Sequence, residues 1–69
     1  MTKGEHDRVL GRLSLAIRAI DGVEIELLEC EIDDNEERAE LKDTQRRLAI
    51  ARVHLVAQRR RLTKIVPTP

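Results

Sequence analysis

Apolar side chains recur along the chain at alternating spacings of four and three residues, the pattern of one face of an α-helix. In the first half of the chain the series is Val9, Leu13, Ala16, Ile20, Val23, Leu27 and Cys30. In the second half it is Leu41, Thr44, Leu48, Ala51, Leu55, Gln58, Leu62 and Ile65. The pattern predicts two long amphipathic helices, each with a heptad-spaced seam.

Residues that favour helix ends indicate where these helices begin. Thr2 and Glu5 match a capping box, and the run Asp33–Asn35, followed by two glutamates, supplies an N-cap and an acidic first turn. Pro67 disfavours helix at the residue before it. The sequence predicts one domain over residues 1–69, with helix 1 at about 4–32, a turn at about 33–36, helix 2 at about 36–65 and an extended tail at 66–69.

Three arrangements of the two segments compete. An antiparallel helical hairpin pairs Leu13 with Leu55, Ile20 with Leu48 and Leu27 with Leu41. A single continuous helix keeps the heptad phase but places Asp34 and Glu37 on the seam, where buried carboxylates are costly. A β-hairpin around Asp21-Gly22 matches a known turn signal, but a two-stranded ribbon is marginally stable. The predicted fold class is therefore all-α, an antiparallel two-helix hairpin.

A second copy of the chain is expected to complete the core. The chain has 69 residues, no aromatic side chains and one Cys, so it buries little surface and cannot form an internal disulfide. Apolar residues also lie outside the two seams. We expect an antiparallel homodimer, a four-helix bundle, whose interface is formed by Ile25, Leu28, Ala49, Ile50, Val53, Val56 and Ala57.

Charge is strongly polarised although the chain is neutral overall. Residues 21–43 carry eleven acidic and two basic side chains, whereas residues 44–69 carry seven basic and none acidic. An antiparallel dimer would set each acidic end beside the partner's basic end. The acidic end also has more carboxylates than helix capping needs, so it is a candidate docking surface for a basic protein. Its residues are Asp33, Asp34, Glu36, Glu37 and Glu40, here called the acidic turn, with Leu28 and Ile32 as apolar anchors.

Several function classes are not expected. The sequence has no Gly-rich phosphate loop, and Cys30, His6 and His54 lack the spacing of a zinc or nucleophile site, so we expect no enzyme, cofactor or metal. No apolar run approaches the ~18 residues of a membrane span, and the first residues do not form a secretion signal. A cytoplasmic protein is expected, with Cys30 reduced and buried on the seam.

Ten Arg against three Lys is compatible with a GC-rich bacterial or phage genome. With its length and two-helix organisation, the chain resembles small accessory proteins of temperate phages, among them the quorum-sensing anti-activator proteins of Pseudomonas phages. Those proteins bind the DNA-binding domain of a host transcription regulator and can engage a pilus motor ATPase. The resemblance implies an inhibitor of a host protein, and it assigns no residue. A dimeric RNA- or DNA-binding bundle, carrying Arg59–Arg61 and Lys64, is the alternative, and a purely structural oligomerisation element is a third.

Overall fold

The computed structural model describes residues 1–67 and shows two long α-helices, α1 (Lys3–Glu29) and α2 (Asn35–Thr63). The helices pack side by side in opposite directions and form a rod of 55 × 15 × 12 Å. The predicted antiparallel helical hairpin is confirmed, and the continuous helix and the β-hairpin are wrong. In this described part no helix is long and apolar enough to cross a membrane. Of the expected tail, Val66 and Pro67 are non-helical, while Thr68 and Pro69 lie outside the described residues.

Capping residues that the sequence indicated precede both helices. The side chain of Thr2 accepts a hydrogen bond from the backbone N–H of Glu5 at 3.2 Å. Asp34 caps α2, where its Oδ1 accepts from the backbone N–H groups of Glu36 at 2.8 Å and Glu37 at 3.1 Å. These bonds satisfy backbone donors that have no partner within the helix.

The connection between the helices starts earlier than the sequence suggested. α1 ends at Glu29, three residues before the expected end at about 32, and the chain is extended at Cys30. No basic residue lies in the last turn of α1, so no cation there offsets the partial negative charge of the helix end. Arg38 then stabilises the connection, because its Nε and Nη2 donate to the carbonyl oxygen of Ile32 at 3.2 and 2.8 Å.

Gly22 lies inside α1 and does not interrupt it. No glycine in the described chain has a positive φ, whereas a two-residue β-hairpin turn with Asp21-Gly22 at its centre would require one. A Cβ built at Gly22 or Gly11 would meet nothing within 4 Å. These glycines therefore do not mediate a close approach of α2.

The face of α1 that meets α2 differs from the predicted seam by a small rotation. Leu13, Ile20 and Leu27 face α2 as predicted, but Val9, Val23 and Cys30 are exposed. The other inward positions of α1 include His6, Leu10, Ile17 and Glu24. The rotation exposes Val9 and covers the larger Leu10 and Ile17, which bury more apolar area, while Ala16 of the predicted seam stays half-buried. The same rotation that buries Ile17 also turns two polar side chains, His6 and Glu24, toward α2.

The seam of α2 shifts in the same way. Leu41, Leu48, Leu55 and Leu62 are buried or half-buried, but Thr44, Gln58 and Ile65 are exposed, contrary to the predicted seam. The other inward-facing residues include Gln45, Ala51 and Arg59. Within residues 1–67 the buried apolar side chains are Ile17 and Leu62, so the core of one hairpin is thin.

Polar contacts cross between the helices at both their middle and their open end. Arg52 of α2 donates from Nε to Asp21 of α1 at 2.5 Å. At the open end, Nε2 of the buried His6 lies 2.7 Å from the carbonyl oxygen of Leu62, and it donates there because a carbonyl oxygen is an acceptor. These contacts align the two helices along their length.

Candidate functional site

An exposed apolar groove lies on α2, on the side turned away from α1. The groove has a volume of about 290 Å³ and is lined by Arg46, Ala49, Ile50, Val53 and His54. Ile50 and Val53 expose 53% and 65% of their surface. Their spacing of three residues keeps them on neighbouring positions of one helix face. The dimer-interface candidates Ala49, Ile50 and Val53 are thus accessible to another molecule.

A second apolar area lies on α1 close to the acidic turn. Ile25 and Leu28 are exposed, Leu28 by 79%, while Ile32 in the connection is half-buried. Ile25 and Leu28 each follow an inward residue of α1 by one position. In α2, Val56 follows the half-buried Leu55, and Val53 follows Arg52, whose side chain binds Asp21 of α1. One residue is a rotation of about 100°, and in antiparallel helices this rotation carries both sets to the same side of the hairpin.

That side is called the apolar face below, and it consists of Ile25, Leu28, Ala49, Ile50, Val53 and Val56. Val56 and the neighbouring Ala57 are half-buried, whereas the other interface candidates are exposed. The α1 part of the face lies near the acidic turn, and the α2 part lies toward the open end of the hairpin.

A cation pocket adjoins the apolar face at the end of α2. It has a volume of about 290 Å³ and is lined by Val56, Arg59, Arg60, Thr63 and Lys64. The hydroxyl of Thr63 donates to the carbonyl oxygen of Arg59 at 2.7 Å, so the three cations are the free hydrogen-bond donors of the pocket. Across residues 1–67, none of these cations forms a salt bridge. The sequence indicated the cations but not the pocket.

The acidic turn is exposed at the opposite end of the hairpin. Asp34 uses one carboxylate oxygen for capping, while Asp33, Glu36, Glu37 and Glu40 form no salt bridge with any described residue. The structure therefore brings the docking candidates together as one solvent-facing group of carboxylates. Leu28 lies beside it as an exposed apolar side chain, whereas the other anchor, Ile32, is half-buried.

Three polar residues make structural contacts that the sequence pattern does not indicate. His6 meets the end of α2, Glu24 points one carboxylate oxygen into the helix interface without a hydrogen-bond partner, and Arg38 binds the connection. Cys30 was expected on the seam, but its thiol is free and exposed, because the helix ends before it. Over the described residues, no group of three or more His, Cys, Asp or Glu side chains could hold a metal ion.

Comparison of the chain with protein-family models, with curated proteins and with solved structures gave no match.

Proposed function

We propose that this protein is a non-enzymatic protein-interaction module that forms an antiparallel homodimer. The observation that carries the proposal is the apolar face, on which Ile25, Leu28, Ile50 and Val53 are exposed to solvent on one side of a thin hairpin. Exposed apolar surface on one side of a protein marks an interaction site, and a hairpin with so small a core gains most from burying it.

The apolar faces of two copies come together about a two-fold axis that is parallel to the face and perpendicular to the long axis of the hairpin. Both parts of the face are then buried. With this axis each helix faces its own counterpart, so Ile25 and Leu28 of one copy lie diagonally across from Ile50 and Val53 of the other and meet them in the core between the four helices. The product is a four-helix bundle, in which the face is removed from water. The same two-fold relation places each acidic turn close to the partner's basic end.

Replacing Val53 with glutamate tests this assembly. The wild-type chain should sediment as a dimer at micromolar concentrations, and Val53→Glu should be largely monomeric, because its carboxylate would be buried without a partner. Leu15→Glu is the matched control, since Leu15 is similarly exposed at 61% but lies on the opposite side of α1 from the seam. Sedimentation velocity with circular dichroism measures both properties. A folded 7.9 kDa wild-type monomer at these concentrations would contradict the proposal.

The foreign partner that the charge pattern fits is a protein with a basic surface, such as the DNA-contacting face of a transcription regulator. Exposed, unpaired carboxylates of the acidic turn would bind the cations that otherwise contact DNA, so the module would inhibit by competition. Charge pairs at a rim mainly set the association rate and the orientation, while an apolar anchor such as Leu28 adds binding energy. A host regulator is the form of this proposal that the phage resemblance suggests.

Neutralising the carboxylates that do not cap α2 tests this docking surface. The triple variant Glu36→Gln, Glu37→Gln and Glu40→Gln keeps Asp34, so the hairpin should remain folded. Its association with a basic DNA-binding domain recovered from host lysate should slow by about tenfold at low salt and by much less at high salt. Stopped-flow measurements at two ionic strengths give these rates, with Glu5→Gln and Asp7→Asn as a control at the other end. Equal rates for wild type and triple variant would exclude the acidic turn as the docking surface.

A further inference from the structure

The cation pocket is charged, open and unpaired within its own hairpin. Arg59, Arg60 and Lys64 converge on it, and no carboxylate of the described chain lies within salt-bridge distance of any of them. The pocket lies at the C-terminal end of α2, where the helix carbonyl groups carry partial negative charge and do not attract a small free anion. The three cations favour a ligand with several negative charges, and the opposing charge of the helix end favours one that is also held at a second point.

The second point of attachment is the apolar face, which is continuous with the pocket. Val56 belongs to both. Arg60 is seven residues after Val53, which is about two helical turns, so it lies on the same side of the hairpin. The distance between these two residues along α2 is about 10 Å. A complementary ligand must present an apolar group and carboxylates at this separation.

The other end of the same chain meets this requirement. Leu28 is exposed beside Leu27, which the hairpin register places opposite Leu41. Asp34 is seven residues from Leu41 along α2, again about 10 Å. When Leu28 of one copy lies at the level of Val53 of the other, the acidic turn at the start of one α2 faces the cation pocket at the end of the partner's α2. The apolar contacts and the charged contacts are thus made in the same register of one copy against the other.

We infer that the cation pocket of each copy binds the acidic turn of the other copy. The assignment rests on the proposed homodimer and adds the contact that sets its register. It also has a consequence for regulation, since the carboxylates bound in the dimer are those offered to a basic foreign partner. Self-association and partner binding therefore compete, and a basic partner must displace the cations of the second copy.

A charge-swap experiment tests the contact on the full chain. The first variant reverses the pocket with Arg59→Glu and Arg60→Glu, and the second reverses the turn with Asp33→Lys and Glu36→Lys, which leaves the capping Asp34 in place. Each variant alone should raise the dimer Kd by at least about tenfold at low salt, because both contacts of its homodimer become repulsive. An equimolar mixture should form a heterodimer with a Kd near that of the wild type, because both of its contacts are again attractive.

A matched control carries the same change of net charge elsewhere. Arg8→Glu with Arg12→Glu reverses two exposed cations of α1 that lie away from the apolar face and form no salt bridge with another described residue, and its dimer Kd should stay within about threefold of the wild type. Circular dichroism reports folding of every variant, and Arg59→Gln with Arg60→Gln is the milder substitute if the reversed pocket does not fold.

The possible results distinguish failure of this inference from failure of the proposed homodimer. A wild-type dimer whose Kd is unchanged in both swap variants overturns the charged contact and leaves the homodimer standing. A wild-type monomer overturns both. If the pocket variant instead abolishes binding of random-sequence double-stranded DNA or RNA without changing the dimer Kd, the pocket binds nucleic acid and the inference is wrong. The inference is supported if each variant alone has a raised dimer Kd and their equimolar mixture regains a Kd near that of the wild type.

Discussion

Replacing Ile17 with alanine should lower the free energy of unfolding by about 2–5 kcal/mol, the range for truncating a buried large aliphatic side chain. Ile17 is 5% exposed and is one of the two buried apolar residues among those described. A loss of this size approaches the whole stability of a small domain. Urea denaturation at a fixed protein concentration measures it, and Ile17→Val, expected to cost about 0.5–1.5 kcal/mol, gives a value if the alanine variant is unfolded.

Val23→Ala is the control that separates the observed seam from the one expected from sequence. Val23 belongs to the predicted heptad series, but it is 45% exposed, so its truncation should change the free energy of unfolding by only about 0.5 kcal/mol. A larger loss at Val23 than at Ile17 would mean that the helices meet on the predicted seam and that the rotation described above is wrong.

Replacing His6 with alanine should loosen the open end of the hairpin. His6 is buried at 8% exposure, and its Nε2 donates to the carbonyl oxygen of Leu62, so the variant loses both packing and a long-range hydrogen bond. We expect a loss of about 1–3 kcal/mol in the free energy of unfolding. Native-state hydrogen exchange should show the largest change at the first turns of α1 and the last turn of α2, because the contact joins these segments.

Asp7→Asn provides the comparison for His6. Asp7 lies 3.6 Å from Nδ1 of His6, but its side chain is mostly exposed, so its replacement should have little effect. If Asp7→Asn and His6→Ala destabilise the chain equally, the contact of His6 with Leu62 is not what distinguishes His6 from its neighbour, and the predicted role of that contact is wrong. A uniform increase in exchange along both helices for His6→Ala would show that the contact is not local.

Local chemistry made the helices and their starts predictable. Thr2 and Asp34 are N-caps because a short oxygen-bearing side chain can bind the first free N–H groups of a helix in any fold. The polar break before Asn35, with acidic residues after it, likewise predicts a helix start without knowledge of tertiary packing. The exposed carboxylates of the acidic turn could be listed from the sequence for the same reason.

The rotation of the helices could not be obtained from the pattern of apolar residues alone. Leu13, Ile20 and Leu27 fit two seams, one with Val9, Ala16 and Val23 and one with Leu10, Ile17 and Glu24. The sequence favours the first, because it is more uniformly apolar. The structure adopts the second, since burial of the larger Leu10 and Ile17 outweighs the cost of directing Glu24, whose Oε1 lacks a partner, toward α2.

The amino-acid sequence thus determines two capped helices, their antiparallel return and the separation of acidic from basic residues. Packing decides which side of each helix is covered, and with it the position of the apolar face and of the cation pocket beside Val56. The physical reason is that capping and charge act through the nearest residues along the chain. Burial depends instead on how two whole surfaces fit, and that fit is a sum over both helices that no single stretch of sequence contains.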